Sequence, residues 1–185
     1  MKKAIMLFAE GFEEVEALTV VDLLRRAEID CEMTSVSGDE TVTGSHGIGV
    51  CMQSSLEQLS VEEYDAVILP GGMPGTKNLA NNERVLALLR AFRDAGKLTA
   101  AICAAPTVLS KAKILDGRRA VCYPGMENQL DGALAGSGPV ETDGTIITSR
   151  GVGTAISFAL AIVSYFCGAQ KASELAKAIV YQEKA

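Results

Sequence analysis

Hydrophobic positions along the chain follow two alternating periods. Nearly unbroken apolar runs of strand length occur at Ala4 to Phe8, Ala66 to Pro70 and Leu98 to Ile102, the pattern of strands buried on both faces of a parallel sheet. Between them the spacing changes to three and four. Glu14 to Ala27 carries such a stripe, and Asn82 to Ala95 places apolar residues at 85, 86, 88, 89 and 92, so each predicts a helix with one face against a sheet. A strand at Cys31 to Val36 completes a βαβ opening. Gly38 to Cys51, interrupted by Gly44, Gly47 and Gly49, breaks the alternation and predicts a strand pair projecting from the main sheet. Arg119 to Cys122, Gly138 to Glu141 and Thr145 to Thr148 predict short strands, the last two joined at Asp143-Gly144. Thr154 to Cys167 and Ser173 to Tyr181 predict the closing helices, with Gly168 capping the first. The apolar stretch from Thr154 is shorter than the ~20 residues of a membrane span, so it is expected to be buried in the fold. Without repeats or linkers, residues 1–185 read as one three-layer α/β domain with a mainly parallel central sheet and a small projecting β-hairpin.

Composition narrows the function. Net charge is −6, and basic residues cluster only in pairs such as Lys2-Lys3 and Arg25-Arg26, which argues against a DNA or RNA footprint but leaves a nucleotide open as a small substrate. The 5 cysteines, at 31, 51, 103, 122 and 167, include no C-x-x-C pair, so neither a disulfide framework nor a thiolate zinc site is expected. A reducing, cytoplasmic setting follows. Ala4 to Ala9 is too short for a signal sequence and leads into Glu10, Glu13, Glu14 and Glu16. No membrane association is expected.

Candidate chemistry begins at Cys103. The run from Leu98 ends at Ile102, and Pro106 suits the first turn of a helix, so the cysteine falls on the tight turn between strand and helix. Unpaired N–H groups and partial positive charge at a helix start bias a thiol towards thiolate. The arrangement parallels a nucleophile elbow, although Ala101 and Ala105 stand at its usual glycine positions. The alternative is an inert core cysteine, since free cysteine is among the most buried residues.

The loops after the carboxyl ends of parallel strands form the ligand crevice of such a sheet. Those loops carry Glu16, Gly71-Gly72, Cys103 and Ser149 to Gly153. Glu16 shares a helix face with Val20, Leu23 and Ala27, which should make it partly desolvated, raise its pKa and let it exchange a proton near neutral pH. Glu13 and Glu14 read as an acidic first turn complementing the helix dipole. The N–H groups at Gly71 and Gly72, with that of Ala104, could form an oxyanion hole; a turn needing positive φ is the competing reading. Gly151 and Gly153 read as loop packing rather than a phosphate loop. His46, the only histidine, lies in Gly44 to Gly47, and a cysteine–histidine–acid triad would have to recruit it from that hairpin. No metal site is expected from one histidine without a spaced ligand set.

Glu13-Glu-Val-Glu16, Leu69-Pro-Gly-Gly72, Ala100-Ala-Ile-Cys-Ala-Ala-Pro106 and Thr148-Ser-Arg-Gly-Val-Gly-Thr-Ala155 together resemble the ThiJ/PfpI superfamily, in particular its DJ-one-like branch. The resemblance implies a flavodoxin-like sandwich, a homodimer, a reactive Cys103 with Glu16 as acidic partner, and Arg26 as the second of two arginines near a pocket at the dimer interface. It implies activity without a cofactor on methylglyoxal or glyoxal, disputed deglycation of proteins and nucleotides, oxidation-sensitive stress protection, or chaperone action. Proteolytic relatives carry a histidine directly after the cysteine, where this chain has Ala104. Glyoxalase relatives often place a histidine before a proline, where Tyr123 precedes Pro124. Two functions therefore stand side by side: an enzyme acting on small aldehydes or glycated substrates through Cys103 and Glu16, and an oxidation sensor with little turnover.

Overall fold

A computed structural model describes residues 1–182. The chain runs through β1 (Lys3–Phe8), α1 (Glu14–Arg26), β2 (Asp30–Ser35), β3 (Thr41–Thr43), β4 (Gly49–Cys51), β5 (Ser54–Ser55) and β6 (Ala66–Leu69). It continues with α2 (Gly75–Ala80), α3 (Glu83–Asp94), β7 (Leu98–Ile102), α4 (Pro106–Lys111), β8 (Arg119–Ala120) and β9 (Leu134–Ala135). The closing elements are β10 (Val140–Asp143), β11 (Ile146–Ser149) and α5 (Ala155–Ala178). A 7-stranded sheet in the order β10-β11-β7-β6-β1-β2-β5 is parallel throughout except at the β10–β11 pair.

Two apolar layers cover this sheet. On one face α1 and α5 pack Val20, Leu24, Phe158 and Ile162 against Met6, Phe8 and Ile68. On the other, α3 and α4 pack Leu89, Phe92, Val108 and Leu109 against Ile5, Leu7 and Val67. Alternate residues of β1 thus serve opposite layers, as strand pleating requires, and the result is the flavodoxin-like three-layer sandwich. β3 and β4 pair antiparallel as a separate two-stranded sheet, the projecting hairpin.

The helix limits have local causes. Glu13 caps α1 by accepting the Val15 N–H, and Asn82 caps α3 by accepting those of Arg84 and Val85. Asp143 pairs with Ile146, so the turn between β10 and β11 lies at Gly144 and Thr145, one residue later than the sequence pattern indicates.

The closing helices part at Gly168, where the sequence pattern placed the end of the first. Helical structure continues beyond Cys167, broken by a non-helical Gly168 at φ 85°, and Val152–Ala178 has the length and apolar composition to cross a membrane, with mean hydropathy 1.8. Only 28% of its most apolar window is buried. Ala155, Phe158, Ala159, Ile162 and Val163 face the core, whereas Tyr165 is exposed. The helix is therefore a core element on one side only.

Candidate active site

Cys103 occupies the turn where β7 gives way to α4, with φ at 64°. That left-handed backbone is uncommon for a residue with a side chain and costs ~1–3 kcal/mol where neighbours enforce it. Here the neighbours are identifiable. The Cys103 N–H donates to Ser149 O at 3.0 Å, and its carbonyl accepts the Tyr123 N–H at 2.7 Å. Strand β11 on one side and the Tyr123 segment on the other thus clamp the turn. Its thiol is half-buried rather than enclosed.

Glu16 enters from α1 on the inward stripe with Val20, Leu23 and Ala27, and it is fully buried. Its Oε2 accepts the Gly71 N–H at 2.8 Å, its carboxyl shares the space beside Gly71 and Gly151 with the Cys103 thiol, and its Oε1 is buried without a partner. Burial pushes the carboxyl up to about 7, reinforced by the Glu13 charge and opposed by the Gly71 N–H and the thiol. This is the elevated carboxyl expected from the helix stripe.

The thiol moves opposite to expectation. Burial foremost, then the Glu16 carboxylate, pushes Cys103 up to about 12, against the N–H groups of Ala104 and Gly72 that favour the thiolate. The helix start cannot outweigh them, because α4 has 6 residues and begins three positions after the cysteine. Cys103 and Glu16 titrate as one unit. A proton on Glu16 removes the repelling charge and turns the carboxyl into a donor to sulfur, so a reactive thiolate depends on that proton.

The two glycines divide their work. Gly71 gives its N–H to Glu16, so it is unavailable to an oxyanion, whereas those of Gly72 and Ala104 act on Cys103, favouring its thiolate. A Cβ on Gly71 would lie 2.6 Å from Cys103 Cβ and 2.7 Å from Glu16 Oε2, so only glycine allows thiol and carboxyl to meet. Gly72, at φ 91°, also satisfies the turn requirement. Gly151, read from the sequence only as loop packing, borders the reactive pair. A Cβ there would lie 3.6 Å from the Tyr123 ring and 3.9 Å from both Cys103 Sγ and Glu16 Oε1, which puts this loop at the site. Tyr123, half-exposed, flanks the same opening.

His46 and Arg26 lie elsewhere. His46 Nδ1 is 2.8 Å from Glu14 Oε2 and 3.5 Å from Glu13 Oε2, so it is held by the start of α1 and has no hydrogen bond to Cys103 among the described residues. Glu14 does more than complement the helix dipole: it is buried and accepts the His46 N–H at 2.7 Å. Glu13, Glu14 and His46 bring three ligand atoms within 4.8 Å of one another, a group with the geometry to hold a cation that linear spacing did not disclose. Arg26 is exposed at the far end of α1 and pairs with Asp22 at 2.7 Å; ten helical residues, about 15 Å, separate it from Glu16. Within one chain it takes no part in the site.

A strained cysteine elbow facing a buried carboxyl, at the carboxyl edge of a parallel α/β sheet, defines a cysteine–glutamate protein of the flavodoxin-like class. The chain matches the DJ-1/PfpI family over residues 2–165 and belongs to that family. It is 39% identical over 181 residues to Protein dj-1beta of Drosophila melanogaster, covering 97% of each chain. It is 31% identical over 150 residues to Deglycase PH1704 of Pyrococcus horikoshii, covering 80% of this chain and 89% of the relative. An oxidized DJ-1 of Toxoplasma gondii superposes with a TM-score of 0.95 at 34% identity, over 99% of this chain and 100% of that one.

Proposed function

We propose that this chain is a DJ-1-type stress-protection enzyme that converts small α-oxoaldehydes to 2-hydroxy acids without cofactor or glutathione, using Cys103 and Glu16. The observation that carries the reading is the buried carboxyl, with one unpartnered oxygen, against a half-open thiol on a strained turn. With Glu16 near 7, the pair can both give and take a proton at neutral pH. The cysteine sulfur adds to the aldehyde carbon, giving a hemithioacetal, and Glu16 moves the proton from that carbon to its neighbour. The resulting thioester is hydrolysed by water, releasing the hydroxy acid and restoring the thiol. The N–H groups of Ala104 and Gly72, which favour the thiolate, are the donors assigned to the nascent oxyanion. The relative named as a deglycase supports a related carbonyl chemistry on glycated substrates.

Lactate formation from methylglyoxal by metal-free, glutathione-free protein tests the reading. Cys103→Ala is expected to reduce the rate to the uncatalysed background; a rate equal to wild type would eliminate the mechanism.

The oxidized state of the Toxoplasma gondii relative favours a second reading, in which Cys103 senses peroxide and turns over little substrate. Selective oxidation of Cys103 together with negligible lactate formation would support it. We read residues 1–185 as one cytoplasmic domain acting as a homodimer, with half of α5 and exposed Val15, Ile48 and Tyr165 as apolar surface a second copy could cover. Sedimentation at micromolar concentration should give twice the chain mass; a monomer would refute the dimer.

A further inference from the structure

We infer that Gly151 is a specificity-determining residue: the space left by its missing side chain seats, against the Tyr123 ring, the single carbon that distinguishes methylglyoxal from glyoxal. The inference rests on the proposed addition of Cys103 to α-oxoaldehydes. It assigns the part of the site that measures the substituent next to the aldehyde.

Two glycines face the reactive pair, and they differ in the room they leave. At Gly71 an added Cβ would overlap Cys103 Cβ and Glu16 Oε2, at 2.6 and 2.7 Å, so thiol and carboxyl already fill that side. At Gly151 a Cβ would stand 3.6 Å from Tyr123 Cδ2 and 3.9 Å from both Cys103 Sγ and Glu16 Oε1, with no heavy atom beyond its chain neighbours closer. These are ordinary van der Waals contacts. The position therefore holds one carbon in touch with the nucleophile, the proton carrier and an aromatic ring at once. Glu16 Oε1 is the buried oxygen without a partner. Gly151 is itself buried, so the space is a slot rather than open surface.

The backbone on each side of the slot is tied to the residue that carries the sulfur. The Tyr123 N–H donates to Cys103 O at 2.7 Å, and Ser149 O, just ahead of Gly151 in the chain, accepts the Cys103 N–H at 3.0 Å. Thr154 fastens the glycine from its other side. Its N–H donates to Gly151 O at 2.8 Å, and its hydroxyl accepts the Gly151 N–H at 3.1 Å. The Tyr123 ring, half-exposed, can turn; the Gly151 wall is backbone, and a methyl group added to it has nowhere to retreat.

When the sulfur adds to the aldehyde carbon, the neighbouring carbon becomes the second atom from sulfur and its substituent the third. The slot lies beyond the reach of an atom bonded to sulfur and within that of the third. A methyl substituent occupies it against the ring, where glyoxal carries only hydrogen. Glu16 Oε1 remains beside the two carbons between which the proton moves.

Gly151 has extended backbone, with φ 161° and ψ −168°, so Gly151→Ala introduces neither backbone strain nor overlap, and it fills the slot. The test measures kcat/KM for glyoxal and for methylglyoxal, as glycolate and lactate formation, in metal-free, glutathione-free wild type, Gly151→Ala and Gly153→Ala, with the urea midpoint of each. The preference for glyoxal over methylglyoxal should rise by about 10–200-fold in Gly151→Ala, the discrimination that one carbon group supports in a shaped apolar pocket. Gly153→Ala, whose Cβ meets nothing within 4 Å, should keep the wild-type ratio, and the three urea midpoints should coincide. An unchanged ratio or a lowered urea midpoint in Gly151→Ala would overturn the assignment while leaving the reaction at Cys103 and Glu16 standing. Wild-type protein that turned over neither aldehyde would overturn that reaction and the assignment with it.

Discussion

Glu16→Gln should lower methylglyoxal turnover by about 10²–10⁴-fold, the contribution of a positioned general acid and base, while retaining an acceptor for the Gly71 N–H. The amide cannot carry the proton between carbons, and its neutral charge no longer pushes the Cys103 thiol up. Alkylation of Cys103 should therefore begin at lower pH even as turnover collapses. This opposition separates proton transfer from nucleophile ionisation: a variant that lost both together would indicate only a damaged pocket.

The same substitution has a stability signature. Glu16 ionises at about 7 in the fold, against 4.5 for an unperturbed glutamate, so between those values the native state binds more protons than the unfolded chain. Stability then falls as pH rises through that window, by about 3 kcal/mol in total. Below 4.5 both states are protonated and the penalty vanishes. Glu16→Gln should flatten this part of the profile, gaining most relative to wild type above pH 7. Urea midpoints at pH 4.5 and 8 would check it, and an unchanged difference between the two would show that Glu16 is not the buried acid described.

Gly71→Ala should be as damaging to activity by a wholly steric route. The added methyl would press on Cys103 Cβ, Glu16 Oε2 and, at 3.1 Å, Cys103 Sγ. None is the free end of a flexible surface chain, so thiol and carboxyl must separate or the β6–α2 loop must shift. Overpacking of this kind costs about 1–3 kcal/mol, and a displacement near 1 Å costs about 10²-fold in rate. Gly153→Ala is the matched control, because a Cβ there meets nothing within 4 Å. Wild-type turnover in Gly71→Ala would contradict the close approach of Cys103 and Glu16.

Glu16 and Cys103 were legible in sequence because each announces itself locally. Glu16 interrupts an apolar helix stripe, and Cys103 stands where a strand pattern meets a helix-starting proline. Gly71 was legible as a turn but not as the donor to Glu16, since that bond joins residues 55 positions apart. Gly151 was legible as part of a crevice loop but read only as loop packing, because its approach to Tyr123 and Cys103 depends on how three loops converge. α2 was missed, its 6 residues including Gly75 and Asn78 and too few turns to display a period.

By itself the sequence determined the alternation of strands and helices, the face each amphipathic helix turns to the sheet, and the loops bearing the reactive groups. Those properties follow from side-chain periodicity and local backbone preference, which act over a few neighbouring residues. Tertiary structure alone decided the protonation of the site, the commitment of the Gly71 N–H to the Glu16 carboxyl, and the attachment of His46 to Glu13 and Glu14. Burial, charge proximity and hydrogen-bond direction are properties of distance in space. No linear spacing encodes them until β1, β6, β7 and β11 lie side by side.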